Sequence, residues 1–316
     1  MENIQHEYRG KHFTIPLLSK EGGIEIAPWV NTDLPPIPCD APVIQSLNKI
    51  WDLNEFKRVH RPVSLGIIPL EEQLLFQMQG IAPRVLDMPI KFPGSKFRIP
   101  REFAQFVPVI QRIANYEKAI NPDCYDEYYC YLTVEHGWVE PGTLQREAPC
   151  HVDGFQGARW NPKVRGNHTY TVGDVVPTVY YDQPFKVDHL DEAKHDFFWE
   201  FNRQVAETKS AHAWRTAPFE LTLMDCYSVH RGDVAPERVY RTWIRLSFEV
   251  RIFDRLGNAH NPLFNYDWEM VPRDIEALGL VPFDPNCDPS LRVFPWQDLD
   301  GSPLADRSHK TQPNLT

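Results

Sequence analysis

Short runs of aromatic and β-branched residues, separated by turn residues, follow one another from residue 128 to residue 253. Such residues favour extended backbone, and repeated short strands with turn residues between them are typical of a β-sandwich or jelly roll. The sequence therefore predicts a mainly β fold with flanking helices. The predicted strands cover residues 128–139, 149–155, 168–172, 176–182, 219–224 and 242–253.

Three helices are predicted around these strands from apolar residues at helical spacing. The first covers about 43–51, after a start signal that contains a proline, and the second covers about 101–118, with Pro108 as a kink. The third covers about 189–209, with Asp188 as its candidate N-terminal cap. This third helix is interpreted either as a lid or as a helix that covers a sheet.

The chain is interpreted as a single domain with regions of different character. Residues 1–120 are read as a mixed α/β support region, and residues 121–253 as the jelly-roll core with a helical insertion at about 186–217. Residues 254–316 are read as a C-terminal arm. A β unit with added helices often reaches this length as one domain.

Composition excludes several classes of protein. The formal net charge of −10 and the lack of a basic run argue against nucleic acid as a partner. No apolar run is long enough for a membrane helix, and the six cysteines form no C-x-x-C pair. The N-terminus lacks an apolar signal core, so a cytoplasmic location with free thiols is expected.

His151 and Asp153 form an H-x-D pair in one of the predicted strands. Residues i and i+2 of a strand point to the same face, so both side chains can reach one metal ion. His230 follows an apolar run much later in the chain and is the candidate third ligand. Two imidazoles and one carboxylate suit iron(II) or a similar divalent ion and leave coordination positions open.

Two arginines, Arg241 and Arg245, lie in the β-prone run 241–248 that follows His230. A buried guanidinium is unfavourable without an anion, so an arginine that points inward predicts an anionic ligand. A carboxylate is a good candidate because its two oxygens match the guanidinium fork.

The order H-x-D, distal His, then Arg resembles the Fe(II)/2-oxoglutarate-dependent dioxygenase superfamily over residues 125–250. The spacing is most similar to its taurine dioxygenase and phytanoyl-CoA hydroxylase branches. The resemblance implies a double-stranded β-helix, a cupin-like jelly roll, with Fe(II), 2-oxoglutarate as co-substrate and O2. It also implies that His151, Asp153 and His230 are the metal ligands and catalytic residues.

The resemblance assigns the far carboxylate of 2-oxoglutarate to Arg241, eleven residues after the distal His, with help from Thr178. Arg245 corresponds to an arginine that binds the substrate's anion in taurine dioxygenase, and other branches place their 2-oxoglutarate arginine near it. Both arginines are therefore candidates, with Arg241 preferred.

The implied activity is hydroxylation, or another C–H oxidation, of a small molecule such as an amino acid or natural-product intermediate. Succinate and CO2 are the expected co-products. Related halogenases have a small residue in place of Asp153, so a carboxylate there favours oxidation. Candidate substrate-binding residues are Tyr131, Arg159, Trp160 and Arg245, although aromatic residues in strands such as Tyr131 more often belong to the core.

Two alternatives stay open. A cupin-type metalloenzyme or isomerase that does not use 2-oxoglutarate typically has H-x-H with a later Glu, whereas Asp153 stands here. A non-catalytic binding protein on the same barrel has no reason to keep a full ligand set. The sequence decides neither the primary substrate, the position oxidised nor the outcome among hydroxylation, desaturation and cyclisation. A homo-oligomer is compatible with it.

Overall fold

Antiparallel β-sheets form the framework of the protein. A computed structural model of the chain describes residues 2–8, 11–17, 22–28, 34, 36–77, 82–145, 149–154, 165–190 and 195–270. The strands are β1 (Glu2–Tyr8), β2 (Lys11–Leu17), β3 (Gly23–Ile26), β4 (Val63–Ile67), β5 (Val85–Lys91), β6 (Phe97–Pro100), β7 (Tyr129–Val139), β8 (His168–Gly173), β9 (Thr178–Tyr181), β10 (Ala213–Arg215), β11 (Glu220–Asp225), β12 (His230–Gly232) and β13 (Val239–Glu249). The α-helices are α1 (Pro42–Ser46), α2 (Leu70–Phe76), α3 (Val107–Ile120), α4 (Pro122–Glu127) and α5 (Phe197–Glu207), and two 3-10 helices cover Leu53–Lys57 and Arg101–Phe106.

Six strands form the main sheet in the order β4-β11-β8-β13-β7-β5, with antiparallel neighbours throughout. Strand β13 lies near the centre and pairs with β7 along its whole length. Strands β4 and β5 form the two edges of the sheet. The predicted support region, 1–120, therefore contributes both edge strands of the main sheet.

A smaller sheet has the order β10-β9-β12 and lies against the main sheet. His151 extends it through an isolated antiparallel bridge to His230. On the facing sides of the two sheets, the hydroxyl of Tyr180 in β9 lies 3.3 Å from Oγ1 of Thr171 in β8. The mainly β fold with flanking helices is confirmed, and its two sheets face each other as in a jelly roll. Two further antiparallel pairs, β1-β2 and β3-β6, lie outside these sheets.

The two faces of β13 have opposite character because successive side chains of a strand alternate. Ile244, Leu246 and Phe248 are fully buried in the largest hydrophobic cluster, together with residues of α3. Burying a side chain of this kind stabilises the fold by roughly 1.5–3 kcal/mol. Arg241 and Arg245 lie on the opposite face and line a cleft at the smaller sheet. The strand thus separates the core from the candidate site.

Helix α3 covers the apolar face of the main sheet and begins differently from the prediction. Pro108 lies in its first turn, where a missing N–H is tolerated, so it starts this helix and does not kink it. The preceding residues form the 3-10 helix. The carboxylate of Glu117, fully buried on α3, accepts a hydrogen bond from the Tyr170 hydroxyl (2.8 Å) and lies 2.9 Å from Nε2 of His168. This polar network ties the helix to β8.

The observed ends of two other helices also differ from the predicted ends. Helix α1 ends at Ser46 and not near residue 51. Helix α5 begins at Phe197, and its cap is Asp196, whose carboxylate accepts from the backbone N–H groups of Phe198 and Trp199. Asp188 as the cap was wrong because the predicted helix started eight residues too early.

The predicted strand 149–155 is absent from the described residues 149–154, apart from the bridge at His151. The last strand ends at Glu249 and not at residue 253. The start of the predicted C-terminal arm packs against the main sheet, since the ring of Trp268 lies 5.9 Å from the ring of Tyr129 in β7. The ring of Phe264 lies 4.4 Å from that of Phe92, directly after β5. Residues 271–316 of the arm lie outside the described residues.

Within the described ranges, none of the helices combines the length and apolar character that a membrane crossing requires.

Candidate metal centre

Three side chains from two distant parts of the chain meet between the two sheets. His151, Asp153 and His230 each offer one ligand atom, and these atoms lie within 4.8 Å of one another. Nε2 of His151 is 3.9 Å from Oδ1 of Asp153, and the rings of the two histidines are 4.5 Å apart. Asp153 and His230 are buried, and His151 is partly exposed. Two imidazoles and a carboxylate at these separations fit a single divalent metal ion.

The two imidazoles are oriented by backbone carbonyls. Nδ1 of His151 lies 2.7 Å from the carbonyl oxygen of Pro149, and Nδ1 of His230 lies 2.9 Å from that of Ser228. A carbonyl oxygen only accepts hydrogen bonds, so each Nδ1 carries a proton, and in the neutral imidazole the lone pair then lies on Nε2. Histidine ligands in metal sites are commonly fixed in this way. The centre therefore presents both Nε2 atoms in the form that binds a metal.

A buried acidic residue shapes the turn that leads to His230. Asp225 accepts hydrogen bonds from the backbone N–H of Tyr227 (3.1 Å) and from the hydroxyls of Ser228 (2.9 Å) and Ser46 (2.6 Å). Its other close contact is Nδ1 of His60, at 2.6 Å. Burial disfavours both charges, but their mutual contact outweighs it, raising the pKa of His60 and lowering the pKa of Asp225. The contacts of Asp225 with Tyr227, Ser228 and His60 fix the backbone whose Ser228 carbonyl orients His230.

Asp153 is held by an arginine that has a second acidic partner. Nη1 of Arg245 donates to both carboxylate oxygens of Asp153, at 3.0 and 3.1 Å. Nη2 of the same guanidinium donates to Oδ1 of Asp87 at 2.7 Å. Burial lowers the pKa of Arg245, but the attraction of Asp153 and Asp87 outweighs it, so the pKa lies above its ordinary value. Arg245 is thus neutralised by the protein itself.

Arg241 has a different environment in the same cleft. Its Nε donates to the carbonyls of Val175 (3.0 Å) and Val176 (2.8 Å), and Nη1 donates to the side-chain oxygen of Gln145. Among the described residues no carboxylate oxygen lies within 4.0 Å of this buried guanidinium. Burial lowers the pKa of Arg241 to about 10, in part offset by Asp174 and then Glu135. Such a site suits an anionic ligand.

The cleft brings the metal centre and Arg241 together. It has about 640 Å³ of empty space, counting the part open to solvent, and His151, His230, Thr178, Arg241 and Arg245 line it. Thr178 is placed there by β9, which pairs with β12 so that Thr178 lies opposite Gly232. The 2-oxoglutarate candidates from the sequence therefore share one cavity with two of the candidate metal ligands.

The substrate-binding candidates predicted from the sequence do not all lie in the cleft. Tyr131 is fully buried, stacks on Phe253 at 4.1 Å and donates its hydroxyl to the carbonyl of Arg251, so it belongs to the core. Arg245 lies in the cleft but is bound to two carboxylates. Arg159 and Trp160 lie outside the described residues.

His151 and Asp153 were expected to share a face of a regular strand, but the structure brings them together differently. After the bridge at His151 the chain turns, and Gly154 has a φ of 83°. The pair therefore converges through a turn and not through the alternation of a regular strand. Arg251 stabilises this turn, since its Nη2 donates to the carbonyl of Gly154 (3.2 Å) and to Glu249 (2.5 Å).

Sequence reasoning missed Asp87, Gln145 and Asp225. Asp87 and Gln145 lie 158 and 96 residues from the arginines that they contact, and Asp225 lies 165 residues from His60, so no local spacing marks these contacts. The available signal was weak: Asp87 and Asp225 are single acids beside apolar runs, at positions where burial demands a partner.

No protein-family model and no curated protein sequence matches the chain. Among solved structures, AviO1 from Streptomyces viridochromogenes Tue57 is similar at 11% identity and a TM-score of 0.36, over 66% of this chain and 93% of AviO1. EctD from S. alaskensis with bound Fe is similar at 15% and 0.35, over 82% and 98%. EvdO2 from Micromonospora carbonacea var. aurantiaca, complexed with 2-oxoglutarate, is similar at 12% and 0.35, over 71% and 93%. At these identities and TM-scores the similarity alone does not assign an activity to this chain.

Proposed function

We propose that the protein is an oxygenase that uses iron(II) and 2-oxoglutarate to oxidise a C–H bond of a small molecule, with release of succinate and CO2. The observation that carries this proposal is the meeting of His151, Asp153 and His230 within 4.8 Å. Iron(II) held there, together with 2-oxoglutarate, would supply the activation of O2 that oxidation of a C–H bond requires. Three protein ligands leave positions for the co-substrate and O2.

Arg241 supports 2-oxoglutarate as the co-substrate. A dicarboxylate that reaches from the metal centre along the cleft would place its far carboxylate against this guanidinium, which has only neutral hydrogen-bond partners among the described residues. A charge-assisted contact in a buried site is strong and directional. A cupin-type metalloenzyme without a dicarboxylate has no use for such a buried cation.

The protein's own residues would perform three tasks. The carbonyls of Pro149 and Ser228 keep both imidazoles in the ligating tautomer. Arg245 holds the carboxylate of Asp153 through two hydrogen bonds from Nη1. Burial of Asp153 and His230 limits the access of water to the reacting centre, which strengthens electrostatic interactions there.

The test is 2-oxoglutarate turnover, measured as succinate release with added iron(II), across a panel of amino acids and natural-product intermediates. We expect release above the background without substrate. Asp153→Ala removes the acidic ligand and should lower release by about a thousandfold or more, to background. Asp267→Asn, which changes an exposed carboxylate, is the control and should keep wild-type activity. Wild-type succinate release from Asp153→Ala would contradict the assignment of the site.

A further inference from the structure

Asp87 is a buried acid that approaches the candidate metal centre from the edge strand β5. It is 7% exposed, and its Oδ1 accepts hydrogen bonds from Nη2 of Arg245 (2.7 Å) and from the hydroxyl of Thr133 (3.0 Å). The same guanidinium donates through Nη1 to both oxygens of Asp153. Two acids therefore share one arginine, and only Asp153 belongs to the ligand triad.

We propose that Asp87 is a positioning residue of the metal centre, which holds Arg245 and offsets its charge so that Asp153 stays available to a divalent cation. This inference rests on the proposed function, because it assumes that the triad binds a metal. Asp87 would act through Arg245.

The charges explain why a second acid is needed. Arg245 and Asp153 alone would form a neutral pair, and the arginine would both compete with a cation for the carboxylate oxygens and repel it. With Asp87 included, the three groups carry one net negative charge. A buried site of this net charge favours a dication over an empty centre. Asp87 also fixes the guanidinium through Nη2, whereas Asp153 is contacted by Nη1.

The backbone at Asp87 is shaped for this contact. Its φ of 48° lies in the left-handed region, and the pairing of β5 with β7 shifts register between Val85 and Met88. Residues other than glycine adopt this conformation rarely, although Asp and Asn tolerate it better than most. A strained position that aims a buried carboxylate at the centre is typical of a functional role.

The test compares Mn(II) binding by calorimetry in wild type and Asp87→Asn. Asparagine keeps the shape, the acceptor oxygen and the tolerance for a positive φ, but removes the charge. We expect the dissociation constant to rise by about 10- to 100-fold, the range seen for residues that support metal ligands. Glu72→Gln is the matched control, since it removes a carboxylate from the part-buried pair with Arg112 and should change the constant by less than about twofold.

The double variant Asp87→Asn with Arg245→Met shows whether Asp87 acts through the arginine. In the Arg245→Met background, Asp87→Asn should have little further effect on Mn(II) binding, whereas independent effects would add. If Asp87→Asn does not fold, Thr133→Val tests the same link by removing the hydroxyl that donates to Asp87, with an expected weakening of about threefold.

The outcomes separate the two proposals. If the wild type does not bind Mn(II), the proposed function fails. If the wild type binds Mn(II) and a folded Asp87→Asn, or Thr133→Val in its place, binds it equally well or better, only the role of Asp87 is overturned.

Discussion

Arg241 and Arg245 lie four residues apart on one face of β13, yet their surroundings are opposite. Arg245 forms ion pairs with Asp87 and Asp153, at 2.7 and 3.0 Å. Arg241 forms hydrogen bonds to backbone carbonyls and an amide, and among the described residues it has no ion pair. The pKa of Arg245 is accordingly raised, whereas burial lowers that of Arg241 to about 10.

The cleft therefore has two ends that differ in the charge of the groups around each arginine. A buried charge without a counter-charge is unfavourable, so a protein that keeps one gains from a ligand of opposite sign. At the metal end the protein supplies the counter-charges itself, and Arg245 supports Asp153. At the other end Arg241 has only neutral hydrogen-bond partners among the described residues, so its charge is available to an anion. The comparison favours Arg241 as the 2-oxoglutarate arginine and Arg245 as part of the metal centre.

Matched substitutions of the two arginines should produce different defects. Arg241→Gln should raise the KM for 2-oxoglutarate by about a thousandfold, near 4 kcal/mol, because removing one partner of a buried charge pair has effects of this size. It should leave Mn(II) binding close to that of the wild type. Arg245→Gln should alter Mn(II) binding more than it alters the KM for 2-oxoglutarate. Succinate release and calorimetry measure the two quantities.

The reverse pattern would contradict the division of the cleft. If Arg245→Gln alone raises the KM for 2-oxoglutarate while Mn(II) binding stays constant, Arg245 is the co-substrate arginine, as in the other alternative that the sequence left open.

Asp174 offers a test of the environment at the Arg241 end of the cleft, because it is a buried acid near this arginine. It is 4% exposed, and its Oδ1 accepts from the backbone N–H of Thr242 at 2.8 Å. Burial raises its pKa from 3.8 to about 6, although hydrogen bonds and Arg241 oppose the shift. Between these values the folded protein holds a proton that the unfolded chain has released, so stability falls as the pH rises from about 4 to 6.

Asp174→Asn should remove this fall in stability. The difference in the free energy of unfolding, variant minus wild type, should increase by up to about 3 kcal/mol from pH 4 to pH 7. This is the equivalent of a shift of about two pKa units. Urea unfolding across this pH range measures the difference. Asp267→Asn, at an exposed position, should follow the wild-type profile, and a constant offset for Asp174→Asn would show that Asp174 does not titrate in this range.

Much of the fold could be predicted because its strands carry strong local patterns. In β7, Cys130, Leu132 and Val134 alternate along the predicted strand and lie in the main core on one face. The cap of α5 could not be chosen, since Asp188 and Asp196 both precede apolar residues at helical spacing. The sequence also could not show that β4 and β5, from the first part of the chain, close the main sheet.

The candidate site was predictable to the extent that it follows short spacings and a known order of residues. His151, Asp153, His230 and Arg241 could be named for that reason. Asp87 could not, because its link to Arg245 joins positions 158 residues apart and depends on a register shift in β5. The engagement of Arg245 by two acids, which favours Arg241 as the arginine available to an anion, became visible only in three dimensions.

Substitution in the turn after Asp153, at the metal end of the cleft, should have the smallest effect on stability. Gly154 has a φ of 83°, and a Cβ added there would lie 2.1 Å from Oδ1 of the buried Asn167. Gly154→Ala should therefore lower the free energy of unfolding by about 2 kcal/mol, through both backbone strain and the displacement of Asn167. Because the turn positions Asp153, Mn(II) binding should weaken as well.

Gly142→Ala is the matched control for this change. Gly142 has a φ of 76°, but an added Cβ would meet nothing within 4 Å, so the variant carries the backbone strain alone, about 1 kcal/mol. The difference between the two variants isolates the contact with Asn167. Equal losses of stability and equal Mn(II) binding would show that the metal end tolerates a shifted turn, and that the position of Asp153 does not depend on Gly154.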